Sequence, residues 1–289
     1  MIRPPLSSIP ILPSIQPLVP MADGWLSDVW GVIHNGRTAF PAATDACRRF
    51  RDAGGSVVLV TNAPRPEAAV AEMLDRLGVP RTAWDAIVTS GDVTRELIAP
   101  WIGRSVFHLG PERDVGIFAG LDITLAAAQD AEAVVCSGLF DDDTETPETY
   151  RGMLEDFRAR DLPMICANPD IVVERGERLV YCAGGIAQLY EQLGGRVVYA
   201  GKPHAPIYAR AFDIFAKVRG QPVPKDRILA IGDGLKTDIK GARDAGLRSV
   251  FIASALHVPH GRTFDDALLS ELFADDPHPP VAAQVALAW

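Results

Sequence analysis

The segment Trp25-Leu26-Ser27-Asp28-Val29-Trp30-Gly31 runs an apolar stretch into a single carboxylate, with a glycine three residues on. A strand that ends this way in an open α/β sheet delivers its side chain to the crevice at the carboxyl end. The glycine lets backbone amides approach an anion closely. Three more stretches end an apolar run in polar residues. Ser56–Thr61 leads into Asn62. Val197-Val198-Tyr199-Ala200 leads into Gly201-Lys202-Pro203. Ile228-Leu229-Ala230-Ile231 leads into Gly232-Asp233, with Thr237-Asp238 just beyond. Taken singly, each has an ordinary reading: Asp28 and Asn62 as turn formers, Lys202 as a surface lysine, Asp238 as a charge at a helix start. Taken together, at four strand ends, they compose one chemistry. Asp28, Asp233 and Asp238 are hard oxygen donors suited to Mg2+. Thr61, Asn62 and Lys202 supply hydrogen-bond donors and one positive charge for phosphate oxygens. Asp28 is then expected to act as a nucleophile that accepts a phosphoryl group, with the metal screening the repulsion between two anions.

The elements needed to hold these residues are legible in the same rhythm. Strands are expected to alternate with helices: a strand to Asp28, a helix from Pro41, the strand ending at Thr61, a helix to Leu77, a strand over 86–89 and a helix near 93–98. Proline at a helix start and glycine pairs after it support the boundaries. The rhythm predicts a parallel sheet with right-handed crossovers. A second α/β unit is expected over 104–196, with strands at 106–109, 133–136 and 164–167. The rhythm then resumes with a helix over 205–218, a strand at 228–231, a last strand over 249–253 and a short helix capped by Thr263. The fold class is therefore α/β, a Rossmann-like parallel core with helices on both faces and an inserted second α/β unit. The core covers 22–103 and 197–289, the inserted unit 104–196, and residues 1–21 form a Pro-rich lead-in expected to lie extended over the body. The run Asp141-Asp142-Asp143-Thr144-Glu145 reads as a solvated loop before a helix.

The chain has 289 residues, 48% of them hydrophobic, enough for a substantial core and too apolar for global disorder. Its net charge of −9 and pI near 5.2 disfavour nucleic acid and anionic membrane as partners, since both need a basic face. A small anionic substrate needs only a local positive site. The four cysteines form no C-x-x-C pair and read as reduced thiols, three of them in apolar surroundings. No apolar run is long enough to span a membrane. The first twenty residues hold six prolines and one basic residue, unlike a secretory leader, so a cytoplasmic location is expected.

The motif set resembles that of the haloacid dehalogenase superfamily over nearly the whole chain beyond residue 21. The insertion looks like the large cap of class IIA, the group of sugar-phosphate, pyridoxal-phosphate and p-nitrophenyl-phosphate phosphatases. The matching residues are Thr61-Asn62, Asn168-Pro169-Asp170, Gly201-Lys202-Pro203 and Gly232-Asp233-x-x-x-Thr237-Asp238. The resemblance implies a phosphoaspartyl intermediate on Asp28. It implies Mg2+ held by Asp28, the Trp30 backbone carbonyl and Asp233, with Asp238 nearby. It implies Thr61, Asn62 and Lys202 on the phosphoryl group. It also implies that the cap selects a small phosphorylated metabolite, with Asn168 and Asp170 and residues 183–185 facing it, and that the protein pairs as a homodimer through the cap.

One residue departs from the pattern. Phosphatases of the superfamily usually carry a second aspartate two residues after the nucleophile, to protonate the leaving oxygen and then activate water. Here that residue is Trp30, as in a branch of the class with Asp-Val-Trp-Gly-Val at this point. An indole cannot transfer that proton, and such help is worth roughly 10²–10⁴-fold. Three readings follow: a Mg2+-dependent phosphohydrolase working with a good leaving group or a replacement acid, for which His34 is the nearest candidate; a phosphotransferase; or a non-catalytic phospholigand sensor. A dinucleotide oxidoreductase is disfavoured, because no expected strand leads into G-x-G-x-x-G.

Overall fold

The computed structural model describes residues 9–175, 178–253, 258 and 262–289. The first eight residues of the expected lead-in lie outside the described residues. The chain opens with β1 (Gly24–Asp28), α1 (Pro41–Asp52), β2 (Ser56–Thr61), α2 (Glu67–Arg76), β3 (Ala86–Thr89) and α3 (Ser90–Leu97). Then come β4 (Ser105–Leu109), β5 (Thr124–Leu125), β6 (Ala133–Cys136), α4 (Arg151–Ala159), β7 (Pro163–Cys166), β8 (Val172–Arg175), β9 (Arg178–Tyr181), α5 (Ala183–Gln192) and β10 (Arg196–Tyr199). The chain closes with α6 (Ala205–Arg219), β11 (Ile228–Gly232), α7 (Lys240–Ala245), β12 (Arg248–Ile252), α8 (Asp266–Leu272) and β13 (Ala282–Gln284).

Three sheets form among the described residues. A six-stranded sheet has the order β13-β12-β11-β1-β2-β3, a five-stranded sheet the order β10-β7-β6-β4-β5, and β8 and β9 form an antiparallel pair. All strands of the five-stranded sheet fall between Ser105 and Tyr199. By contact density the chain divides into two compact units, one of residues 1–59, 77–86 and 212–289, the other of 60–76 and 87–211.

In the first unit, β1 and β2 are buried along their whole length, the pattern of strands covered on both faces. Helix α1 starts on Pro41, whose missing N–H costs nothing in a first turn. It turns Ala43, Ala46, Cys47 and Phe50 inward, and Phe50 stacks on Trp25 with ring centroids 4.0 Å apart. From β1 the order runs to β2 and β3 on one side, and through β11 to β12 and β13 on the other. The crevice at the carboxyl ends of β1 and β11 is thus the topological switch point, where open α/β sheets bind ligands. The tail docks: β13 pairs with β12, and the described lead-in pairs with β13 through Leu12 N to Ala283 O and Ala283 N to Pro10 O, both near 2.8–2.9 Å. The last helix starts later than the sequence suggests, because Asp265, not Thr263, accepts the Leu268 amide at 2.9 Å.

In the second unit, α4 and α5 pack Leu154, Phe157, Ile186 and Tyr190 against Val134, Cys136 and Met164 of the five-stranded sheet. The acidic run is a loop before a helical turn, as expected, with Asp141, Asp143 and Thr144 exposed and Asp142 tied down. Asp142 takes Arg113 at 2.6 Å and Arg175 at 2.5 Å, and the two guanidinium groups hold its carboxyl down at about 2 against its desolvation. The four cysteines are buried and unpaired. No helix among the described residues is long and apolar enough to cross a membrane.

Candidate active site

Two clusters of the expected residues form, one in each unit. The first is made of carboxylates. Strand β1 pairs in parallel with β11, Ser27 opposite Ile231, so Asp28 and Gly232-Asp233 leave the sheet at the same end. After Gly234 the chain makes a turn of π-helix over Leu235–Ile239, a wide turn frequent at functional sites, and this returns Asp238 to the strand ends. One ligand oxygen from each of Asp28, Asp233 and Asp238 lies within 4.8 Å of the others. Asp28 and Asp238 are each 7% exposed. The Asp238 carboxylate accepts the Gly234 amide at 3.1 Å, which fixes its rotamer. Two glycines make room: a Cβ on Gly232 would fall 2.3 Å from the Asp238 Cβ, and one on Gly31 2.3 Å from Asp233 Oδ2. Gly31 also has φ +88°, a conformation other residues rarely adopt. Three carboxylates gathered this closely are costly to keep charged unless a cation shares the site, and an all-oxygen set of this kind suits a small hard divalent ion.

The loop after Asp28 is closed by its own side chains. The Gly31 amide donates to the His34 carbonyl at 2.8 Å, and the Gly36 amide donates to His34 Nδ1 at 2.8 Å. An Nδ1 that accepts places the imidazole proton on Nε2, which is buried and has no hydrogen-bond partner. Burial lowers the His34 pKa from 6.5 to about 4. His34 is therefore a neutral loop brace near pH 7, and the role of replacement acid does not fit it. The Trp30 indole packs edge-on to His34, centroids 5.2 Å apart, and over Gly36, where a Cβ would meet the indole at 2.4 Å.

The second cluster is made of donors. Lys202 is 4% exposed and its Nζ donates to the Val60 carbonyl at 3.3 Å. The Thr61 hydroxyl accepts the Ala63 amide at 3.2 Å. The Asn62 amide reaches across 140 residues: its Oδ1 accepts the Lys202 N–H at 2.7 Å, and its Nδ2 donates to the Lys202 carbonyl at 3.2 Å and to Asp170 Oδ1 at 2.9 Å. One donor and two acceptors around the amide fix which end is nitrogen. Both of its side-chain N–H groups are engaged by protein acceptors. Asn168 Oδ1 accepts the Asp170 amide at 3.1 Å, closing a turn, and the Asp170 carboxylate faces Asn62; a carboxylate offers an anion no donor. Residues 183–185 are buried in the first turn of α5 beneath that turn. The Gly184 amide donates to the Asp170 carbonyl at 3.0 Å, and a Cβ on Gly184 would fall 2.1 Å from the Pro169 oxygen.

Known proteins resemble this chain in sequence and fold. A family model described as haloacid dehalogenase-like hydrolase matches residues 25–124, and one described as HAD-hydrolase-like matches 199–279. A haloacid dehalogenase-like hydrolase from Brucella suis is 52% identical, covering 84% of this chain and 94% of its own, with a TM-score of 0.81. The 5'-nucleotidase YutF of Bacillus subtilis is 26% identical over 234 residues, 79% of this chain and 86% of that protein. A glycerol phosphate phosphatase from Mycobacterium tuberculosis, solved in complex with magnesium, is 25% identical with a TM-score of 0.64, covering 85% of this chain and 73% of its own.

Proposed function

This chain belongs to the haloacid dehalogenase-like hydrolases, and we propose that it hydrolyses small phosphate monoesters with a divalent metal, through a phosphoaspartyl intermediate on Asp28. The observation that carries this reading is the convergence of Asp28, Asp233 and Asp238 at the carboxyl ends of β1 and β11. A nucleotidase and a phosphatase among the similar proteins support the substrate class. The three carboxylates, with the Trp30 carbonyl, are assigned as ligands of Mg2+, which would screen the Asp28 carboxylate from the anionic phosphoryl group. A carboxylate oxygen of Asp28 attacks phosphorus, the ester oxygen departs with the bonding pair, and an acyl phosphate is left on Asp28. Water then attacks that phosphorus, releasing phosphate and restoring the carboxylate. The Thr61 hydroxyl and the Lys202 ammonium are assigned to the phosphoryl oxygens. Residues 104–196 are assigned as the cap that selects the ester.

The reading is tested with a panel of phosphate esters with and without Mg2+, scored by released phosphate. Activity that disappears in excess chelator is expected, together with a Mg2+-dependent rise in Tm that Asp233→Asn largely removes. Full activity in chelator would contradict it. A second reading, a slow enzyme confined to good leaving groups or a phospholigand sensor, is favoured by one observation: the position two residues after Asp28 carries an indole braced on His34 and Gly36.

A further inference from the structure

We infer that Asn62 and Asp170 are positioning residues for Lys202, forming a clamp that aims its ammonium; the inference rests on the proposed role of Lys202 in binding the phosphoryl group. The clamp is built outward from the sequence. Asn168 closes a turn on the Asp170 amide, and Pro169 stiffens it. That turn sits on the first turn of α5, where Gly184 allows contact that no side chain would permit. Asp170 is thereby fixed before it meets any ligand. Its carboxylate takes one N–H of Asn62, which leaves the other N–H and the Oδ1 for both main-chain groups of Lys202. A two-point grip on one residue's backbone sets the direction in which its side chain leaves. Gly201 makes the grip possible: a Cβ there would fall 2.3 Å from Asn62 Oδ1 and 2.7 Å from Pro169 Cδ. The buried Lys202 side chain then has a short path to the Val60 carbonyl, one residue before Thr61.

The inference reverses the sign expected of Asp170. A carboxylate near an anion site weakens anion binding by charge alone, so its removal should tighten binding. A carboxylate that orients a lysine through an amide strengthens anion binding, so its removal should loosen it. The probe is inorganic phosphate, measured as a competitive inhibitor of p-nitrophenyl phosphate hydrolysis by the full chain with Mg2+. The Asp170→Ala and Asn62→Ala variants are each expected to weaken phosphate inhibition about tenfold, the scale of one lost hydrogen bond to a charged group. Asp170→Asn keeps an acceptor oxygen for Asn62 and is expected to recover most of that loss. Lys202 should also become more reactive toward an amine-acylating reagent in the two alanine variants, read by peptide mapping, with thermal melts confirming that each variant folds. Tighter or unchanged phosphate inhibition in folded Asp170→Ala would overturn the clamp, and so would an Asp170→Asn variant as impaired as Asp170→Ala. A Lys202→Ala variant that binds phosphate as well as the parent would overturn the assignment of Lys202 itself, and the clamp with it.

Discussion

The carboxylate cluster and the donor cluster are built on opposite plans. The first is a product of strand register: Asp28 and Asp233 come together because β1 and β11 lie side by side in parallel, and Asp238 follows after one local turn. The second is a product of side-chain reach: Asn62 joins residues 108 and 140 positions away by hydrogen bonds alone. Register is enforced by every buried residue of two strands, and a slip would repack both buried faces of the sheet. A side-chain link is enforced only by its own few bonds and the turn behind it. The carboxylates should therefore tolerate changes around them and fail when they are themselves changed. The donors should be sensitive to neighbours that never touch a ligand.

The largest effect is expected in the first cluster. Asp28→Asn keeps size and most hydrogen bonding but removes the attacking anion, and turnover should fall roughly 10⁴-fold or more. Phosphate binding, read as a phosphate-dependent rise in Tm, should survive far better than turnover. Equal loss of both would show that Asp28 binds rather than reacts.

Next in size is Trp30→Asp. With an indole at this position, the departing oxygen leaves without a proton from it, so aryl and acyl phosphates should turn over much faster than alkyl esters. The new carboxyl should selectively raise alkyl rates by about 10²-fold, or about 2.7 kcal/mol of barrier. Because the indole packs on Gly36 and His34, folding of the variant is checked first by its melting curve. A folded variant with unchanged rates on both ester types would show that another group already supplies the proton.

The smallest effect concerns stability. His34 is neutral in the folded loop, with a pKa of about 4 against 6.5 when exposed. Its contribution is fully present above pH 6.5 and is lost as pH falls from 6.5 towards 4, because the unfolded state takes up the proton first. The loss is at most roughly 3 kcal/mol. Urea midpoints should fall over that interval for the parent protein and fall less for His34→Asn. Parallel curves would mean that the buried imidazole is not the source.

The same contrast explains what the sequence could say. The strand ends were legible because β-branched runs such as Ser56–Thr61 mark a buried parallel strand, and the residue after such a run sits at the crevice. The α/β class followed from that rhythm. The hairpin of β8 and β9 was not legible: its strands are four residues each, and Val180 is buried while Arg178, Leu179 and Tyr181 are exposed, so no full apolar face marks it. Strand β13 is not legible either, because Ala282–Gln284 is too short and too small-sided to show a pattern. The partners of Asn62 were hidden for another reason. An amide satisfied by a carboxylate and a backbone far along the chain has the same local sequence as one waiting for a ligand. The signal that pointed to the clamp was indirect: a turn-forming Asn-Pro-Asp and the Ala183-Gly184-Gly185 start of α5 must be packed by something.

Asp28 is expected to carry the phosphoryl group during turnover. The direct measurement is a rapid acid quench during turnover of a phosphate ester carrying labelled phosphorus, in the presence of Mg2+, followed by borohydride reduction and peptide mapping. Label in the quenched protein, with the reduced residue found at position 28 and both lost in Asp28→Asn, is the predicted result. Steady turnover with no trapped label, or label that persists in Asp28→Asn, would contradict it.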